Sequence, residues 1–92
     1  MIDQNTFYKK IGKRIKIARN EAGLTLEDLN DLSDLDLSKG SFSAIENGKQ
    51  KIYVYQLYRI SKALNTPIDT FIGNSEEKID ISEEDIKKIN SQ

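Results

Sequence analysis

Ser38-Lys39-Gly40-Ser41-Phe42-Ser43-Ala44-Ile45-Glu46-Asn47-Gly48-Lys49 has the local signature of a short helix with two unlike faces. Ser38 is suited to cap its N-terminus and Gly48 to end it. Phe42 and Ile45 lie three residues apart and predict an inward stripe, whereas Lys39, Ser41, Ser43, Ala44 and Asn47 fall elsewhere on the turn. A helix apolar on one side and polar on the other invites a partner.

On the N-terminal side, Asn5 or Thr6 is expected to cap a first helix whose apolar stripe is Phe7, Ile11, Ile15, Ala18 and Ala22, ended by Gly23. Thr25 with Asp28 three residues later forms a capping box for a second, acidic helix with Leu26, Leu29 and Leu32 as its buried side. Ser33 to Leu37 alternates polar residues with leucine and reads as the connection into the Ser38 helix, with Leu35 and Leu37 plugging the core.

Beyond Gly48, Lys49 to Tyr53 reads as a basic loop, and Val54, Leu57, Ile60 and Leu64 mark a fourth helix to about residue 65. Thr66 as cap, Pro67 at the first helical position, Asp69 and Gly73 predict a fifth helix of about two turns. The expected fold is therefore an all-α domain of five short helices over residues 1–73. Residues 74–92 read as a polar linker and a short C-terminal helix at 83–90, opened by Ser82 and Asp85. Ile86 and Ile89 are too few to hold that helix alone, so it docks on the body, docks on a second copy or frays, with docking or a dimer contact the favoured expectation.

Ninety-two residues make one small domain, which buries only about 60 to 65% of its unfolded surface. Without cysteine or histidine the chain has no disulfide, no thiolate and no imidazole, so a metal site, a cofactor and catalysis are not expected. Carboxylate neighbours such as Glu83 and Glu84 lack any accompanying nucleophile, glycine-rich phosphate loop or metal-ligand spacing. No apolar run is long enough to span a bilayer or serve as a secretory signal, which predicts a cytoplasmic protein.

The net charge of -1 conceals strong segregation. Residues 1–20 hold six bases against Asp3, residues 21–37 six acids and no base, and residues 38–62 five bases against Glu46; the remainder is acidic again. Solvated helix faces would account for such blocks, and so would a surface for a polyanion.

The combination of Ile11-Gly12-Lys13-Arg14-Ile15 through Arg19, Gly23-Leu24-Thr25 through Glu27-Asp28-Leu29, Ser43-Ala44-Ile45-Glu46-Asn47-Gly48-Lys49 and Leu57 to Leu64 resembles the Cro and phage-repressor type of helix-turn-helix regulator, the XRE family. The resemblance covers roughly residues 7–73. It implies a sequence-specific transcriptional regulator of double-stranded DNA, repressing or activating as a homodimer, with a positioning helix at 25–33 and a recognition helix at about 38–47. The major groove admits such a helix, and its solvent face can carry donors to base edges.

Carried over by position, the base-facing residues are Lys39, Gly40, Ser41 and Ala44, with Ser43 nearby. Lys39 can donate to guanine O6 or N7, Ser41 can donate or accept, and Ala44 can touch a thymine methyl. The implied phosphate contacts are Arg14, Thr25 at the opening of the second helix, Asn47, Lys49 and Lys51. Arg19 and Glu46 match a buried ion pair that orients the recognition helix. Leu26 stands where the family has a phosphate-gripping Gln, and the link between the two helices is longer and acidic, with Asp31, Asp34 and Asp36. With Gly40 and Ala44 at two reading positions, direct readout is expected to be thin and supplemented by dimerisation or DNA shape. The alternative on the same scaffold is a protein-interaction module, antitoxin-like or antirepressor-binding, that uses the acidic second helix or the C-terminal tail.

Overall fold

A computed structural model describes residues 3–73, which form five α-helices in the order α1 (Gln4–Glu21), α2 (Leu26–Ser33), α3 (Lys39–Glu46), α4 (Val54–Ala63) and α5 (Ile68–Ile72). The expected helix at 83–90 and the linker before it lie outside the described residues.

The all-α expectation holds over the described span, and the ends of the helices follow their caps. Asp3, rather than Asn5 or Thr6, caps α1: its Oδ1 accepts the Thr6 N–H at 2.8 Å, so the helix starts earlier than the apolar stripe. That bond holds the Asp3 carboxyl below its usual 3.8. At α2 the capping box is present as read, with the Asp28 N–H donating to Thr25 Oγ1 and the Thr25 N–H to Asp28 Oδ2, both at 3.0 Å. Pro67 is itself the N-cap of α5, so the helix starts one residue later than expected, while the Thr66 hydroxyl turns back to donate to the Leu64 carbonyl at 3.0 Å.

Ile11, Ile15, Leu29, Phe42, Ile45, Ile52, Leu57, Ile60 and Phe71 make the core, with Leu26, Leu35 and Leu37 partly buried against it. Helix α1 packs on α3 and α5, α2 on α3 and α4, and α4 on α5. α3 is thus clasped from behind by α1 and from the side by α2.

Three expected core positions prove wrong. Leu32 is 58% exposed, because the inward face of α2 runs through Leu26, Leu29 and Ser33, and residue 32 lies about a third of a turn away. Ser33 occupies the core in its place, fully buried, and its hydroxyl donates to the Leu29 carbonyl at 2.7 Å. Val54 is 81% exposed: it is the first residue of α4, and the face that meets the core is made by Leu57, Ile60 and Ser61. Ala22 is exposed as the C-cap of α1. Tyr53 and Tyr55, at the opening of α4, are exposed as well.

Candidate DNA-recognition surface

Helix α3 begins where the Ser38 hydroxyl accepts the Ser41 N–H at 3.0 Å, and Phe42 and Ile45 anchor it in the core. Behind it, Gly12 of α1 lies so close that a Cβ there would overlap the carbonyl oxygens of Ile45 and Glu46. After α3 the chain turns at Gly48, whose φ of 73° favours glycine and which lies against Lys9 of α1. The first and third helices are therefore locked together at the C-terminal end of α3.

The expected ion pair is formed as a two-pronged contact. Arg19 Nε donates to Glu46 Oε2 at 2.8 Å and Nη2 to Oε1 at 3.0 Å, while Nη1 donates to the Leu24 carbonyl at 2.8 Å. Arg19 is 9% exposed and Glu46 5%, so both charges are out of water and matched. The bond to Glu46 raises the Arg19 pKa above its ordinary value. Glu46 faces inward and orients α3.

The long link between α2 and α3 has its own brace, which the sequence reading missed. Asn30 on α2 donates through Nδ2 to the Leu37 carbonyl at 2.7 Å and accepts the Leu37 N–H on Oδ1 at 3.0 Å, so one amide holds both sides of the Leu37 residue. The link contains two left-handed residues, Asp34 and Asp36, with φ of 55° and 52°. Arg59 of α4 closes the end of α2 by donating from Nε to the Ser33 carbonyl at 2.9 Å. Asparagine and aspartate tolerate these backbone angles better than most residues, which explains why an acidic run is accepted there.

With its inner face fixed, α3 leaves Lys39 and Gly40 exposed, and Ser41, Ser43 and Ala44 half-buried. Asn47 at its end and Lys49 and Lys51 in the following loop are exposed too. Among the described residues, a Cβ added to Gly40 would meet nothing within 4 Å. The loop is tied to the helix, because the Lys49 and Gln50 N–H groups both donate to the Ala44 carbonyl, at 2.8 and 3.2 Å, and Ile52 plugs the core just beyond. This curl brings Gln50 beside Ser41, whose Oγ donates to Gln50 Oε1 at 3.1 Å. Nothing in the one-dimensional pattern singles out Gln50, since the pair spans nine residues.

Two of the other expected residues have internal engagements. Arg14 donates from Nη1 to the Phe71 carbonyl at 3.1 Å and lies against Gly73, so it closes the end of α5. The Thr25 N–H and hydroxyl both belong to the capping box with Asp28. At the opening of α4 the Tyr53 N–H donates to Gln56 Oε1 at 2.9 Å. Lys39 shares a cleft of about 230 Å³ with Leu26, Glu27, Asn30, Leu37 and Phe42, in which Glu27 is the only acid among the described residues. Among the described residues there is no group of His, Cys, Asp or Glu that could hold a metal ion, and no helix is long and apolar enough to cross a membrane.

Two helices joined by a braced turn, the second locked from behind and polar outward, is the arrangement of a groove-reading motif. A helix-turn-helix domain family model matches residues 12–77. The chain belongs to the helix-turn-helix family, of the XRE type. As a member of this family it is a DNA-binding transcriptional regulator. The restriction-modification controller protein C.AhdI from Aeromonas hydrophila has a similar fold, with a TM-score of 0.64 and 23% identity over 70% of this chain and 94% of that chain. No curated protein matches the chain significantly.

Proposed function

We propose that this domain binds a specific DNA sequence as a homodimer in the cytoplasm, with α3 in the major groove. The observation that carries the reading is the division of α3: Phe42, Ile45 and Glu46 are buried, while the polar N-terminal turn from Lys39 is left uncovered beside the exposed Lys49 and Lys51. Lys39 reads guanine, Ser41 and Ser43 offer single hydrogen bonds, and Gly40 and Ala44 let the backbone approach the base edges. Asn47, Lys49 and Lys51 hold phosphates on one side and Thr25 at the start of α2 on the other. The bond from Arg14 to the Phe71 carbonyl favours a structural role for that residue over a phosphate contact. One short helix reads too few base pairs to select a genomic site, which favours a symmetric dimer on two half-sites.

Selection from random duplexes, with a measurement of molecular mass in solution, tests the proposal. A palindrome bound by a dimer is the expected outcome. Lys39→Ala should relax preference at one position at a cost of about 1–3 kcal/mol. Lys49→Ala should weaken all sequences alike and lower the salt slope by about one. If both variants stay folded and neither changes retention on any duplex, these assignments are wrong.

A second reading, a protein-interaction module, draws support from the exposed apolar side chain of Leu32 on the acidic α2, next in sequence to Asp31. Leu32→Ser abolishing a protein contact while leaving DNA retention unchanged would favour it. The part of that reading assigned to the tail falls on residues outside the described span.

A further inference from the structure

We infer that Gln50 sets the polarity of the Ser41 hydroxyl, making Ser41 a hydrogen-bond acceptor that prefers a base with a major-groove amino group, adenine or cytosine on the contacted strand. The inference rests on the proposed DNA-binding reading and deepens it to the level of one base position. A serine hydroxyl has one proton and two lone pairs, so unconstrained it accepts from an amino group or donates to a keto oxygen and discriminates poorly. Here the proton is already committed, because Ser41 Oγ donates to Gln50 Oε1 at 3.1 Å. Only lone pairs are left to face a base edge. In the major groove the amino donors are adenine N6 and cytosine N4, whereas guanine O6 and thymine O4 would meet those lone pairs as acceptor against acceptor.

The pair is held by backbone on both sides. Ser41 is fixed by its N–H donating to the Ser38 hydroxyl at 3.0 Å, and Gln50 by its N–H donating to the Ala44 carbonyl at 3.2 Å. Both residues are half-buried, so the contact is partly shielded from water without being closed off from a ligand. Gln50 therefore acts through Ser41 and is a positioning residue.

The test is selection from random duplexes in parallel for the unmodified protein, Gln50→Ala, Gln50→Glu and Ser41→Ala, each checked for an unchanged melting transition. The unmodified protein should show a roughly two- to tenfold preference for A or C over G or T at one position of each half-site, the size of one neutral hydrogen bond. Gln50→Ala should flatten that position alone, matching Ser41→Ala. Gln50→Glu should retain the preference with uniformly weaker retention, because a carboxylate is an acceptor only and still takes the serine proton while repelling phosphate. An unmodified protein that selects a site while Gln50→Ala selects the same site with the same discrimination overturns the role of Gln50. Reversal to G or T in Gln50→Glu would also overturn it. Failure of the unmodified protein to select any sequence removes the DNA-binding reading itself and this inference with it.

Discussion

Replacing Glu46 by alanine is expected to cost about 3–5 kcal/mol, the range for removing one partner of a buried ion pair. The structure puts the substitution in that range. Two short charge-assisted bonds join the residues, at 2.8 and 3.0 Å, and the Arg19 guanidinium left behind keeps only the Leu24 carbonyl as a described partner in a site 9% exposed. A folded body the size of residues 3–73 has roughly 4–10 kcal/mol in all, so Glu46→Ala should lie close to the margin of stability. Urea unfolding followed by far-UV circular dichroism measures the loss. The informative companion is Arg19→Met with Glu46→Leu, which removes both charges and replaces them with apolar volume; it should recover most of the stability or exceed the original. A Glu46→Ala variant within about 1 kcal/mol of the unmodified protein would mean that water or another group satisfies Arg19. A double variant as unstable as the single one would show that the pair is irreplaceable packing rather than matched charge. Loss of DNA retention in Glu46→Ala alone would say nothing about contact with DNA, because the variant is disturbed behind the reading surface.

Gly12→Ala should destabilise by about 1–3 kcal/mol in thermal melts, since its methyl overlaps the backbone of α3, whereas Gly40→Ala, facing open space within a helix, should gain about 0.5–1 kcal/mol. Equal effects at the two glycines would contradict the packing of α1 on α3. Asn30→Ala should cost about 1–3 kcal/mol by leaving both polar groups of Leu37 without their partner, and binding should fall further than melting alone accounts for. The Asp3 and Asp28 carboxyls both lie below 3.8, each lowered first by a backbone N–H, from Thr6 and Thr25 respectively. Their contribution is complete above that value and is lost as pH falls through the lower folded values, so urea midpoints should be level near pH 5 and decline below about pH 4. Asp28→Asn should flatten part of that decline; an unchanged slope would mean the second helix is not capped this way.

The parts that were legible in the sequence are those governed by local rules. Thr25 with Asp28, Ser38, Gly23 and Gly73 announce helix ends through chain neighbours only, and the Phe42 and Ile45 spacing gives the inward side of α3 without reference to any other element. Arg19 and Glu46 lie 27 residues apart, and their pairing was accessible only through the family pattern. What stayed hidden depends on where elements end up relative to each other. Leu32 and Ser33 exchange the burial their hydropathies suggest, because the inward face of α2 runs through residue 33 and a hydroxyl can satisfy itself on its own helix. Ile52 looked like part of a polar loop and turns out to anchor it. Asn30 and Gln50 are polar residues in polar surroundings, and only the fold shows which backbone or hydroxyl each one meets.

The empty space around Gly40 bears on how readily such a protein changes its target. The anchorage of α3 from behind lies at Phe42, Ile45 and Glu46 and at Gly12, and among the described residues none of it meets position 40. Substitutions at position 40 meet no neighbour among the described residues, so a new operator could be acquired by drift through variants that all remain folded. An engineer would find the same freedom: arginine, asparagine or glutamine at position 40 adds a forked reader where this chain has none, on a helix already held at the right attitude.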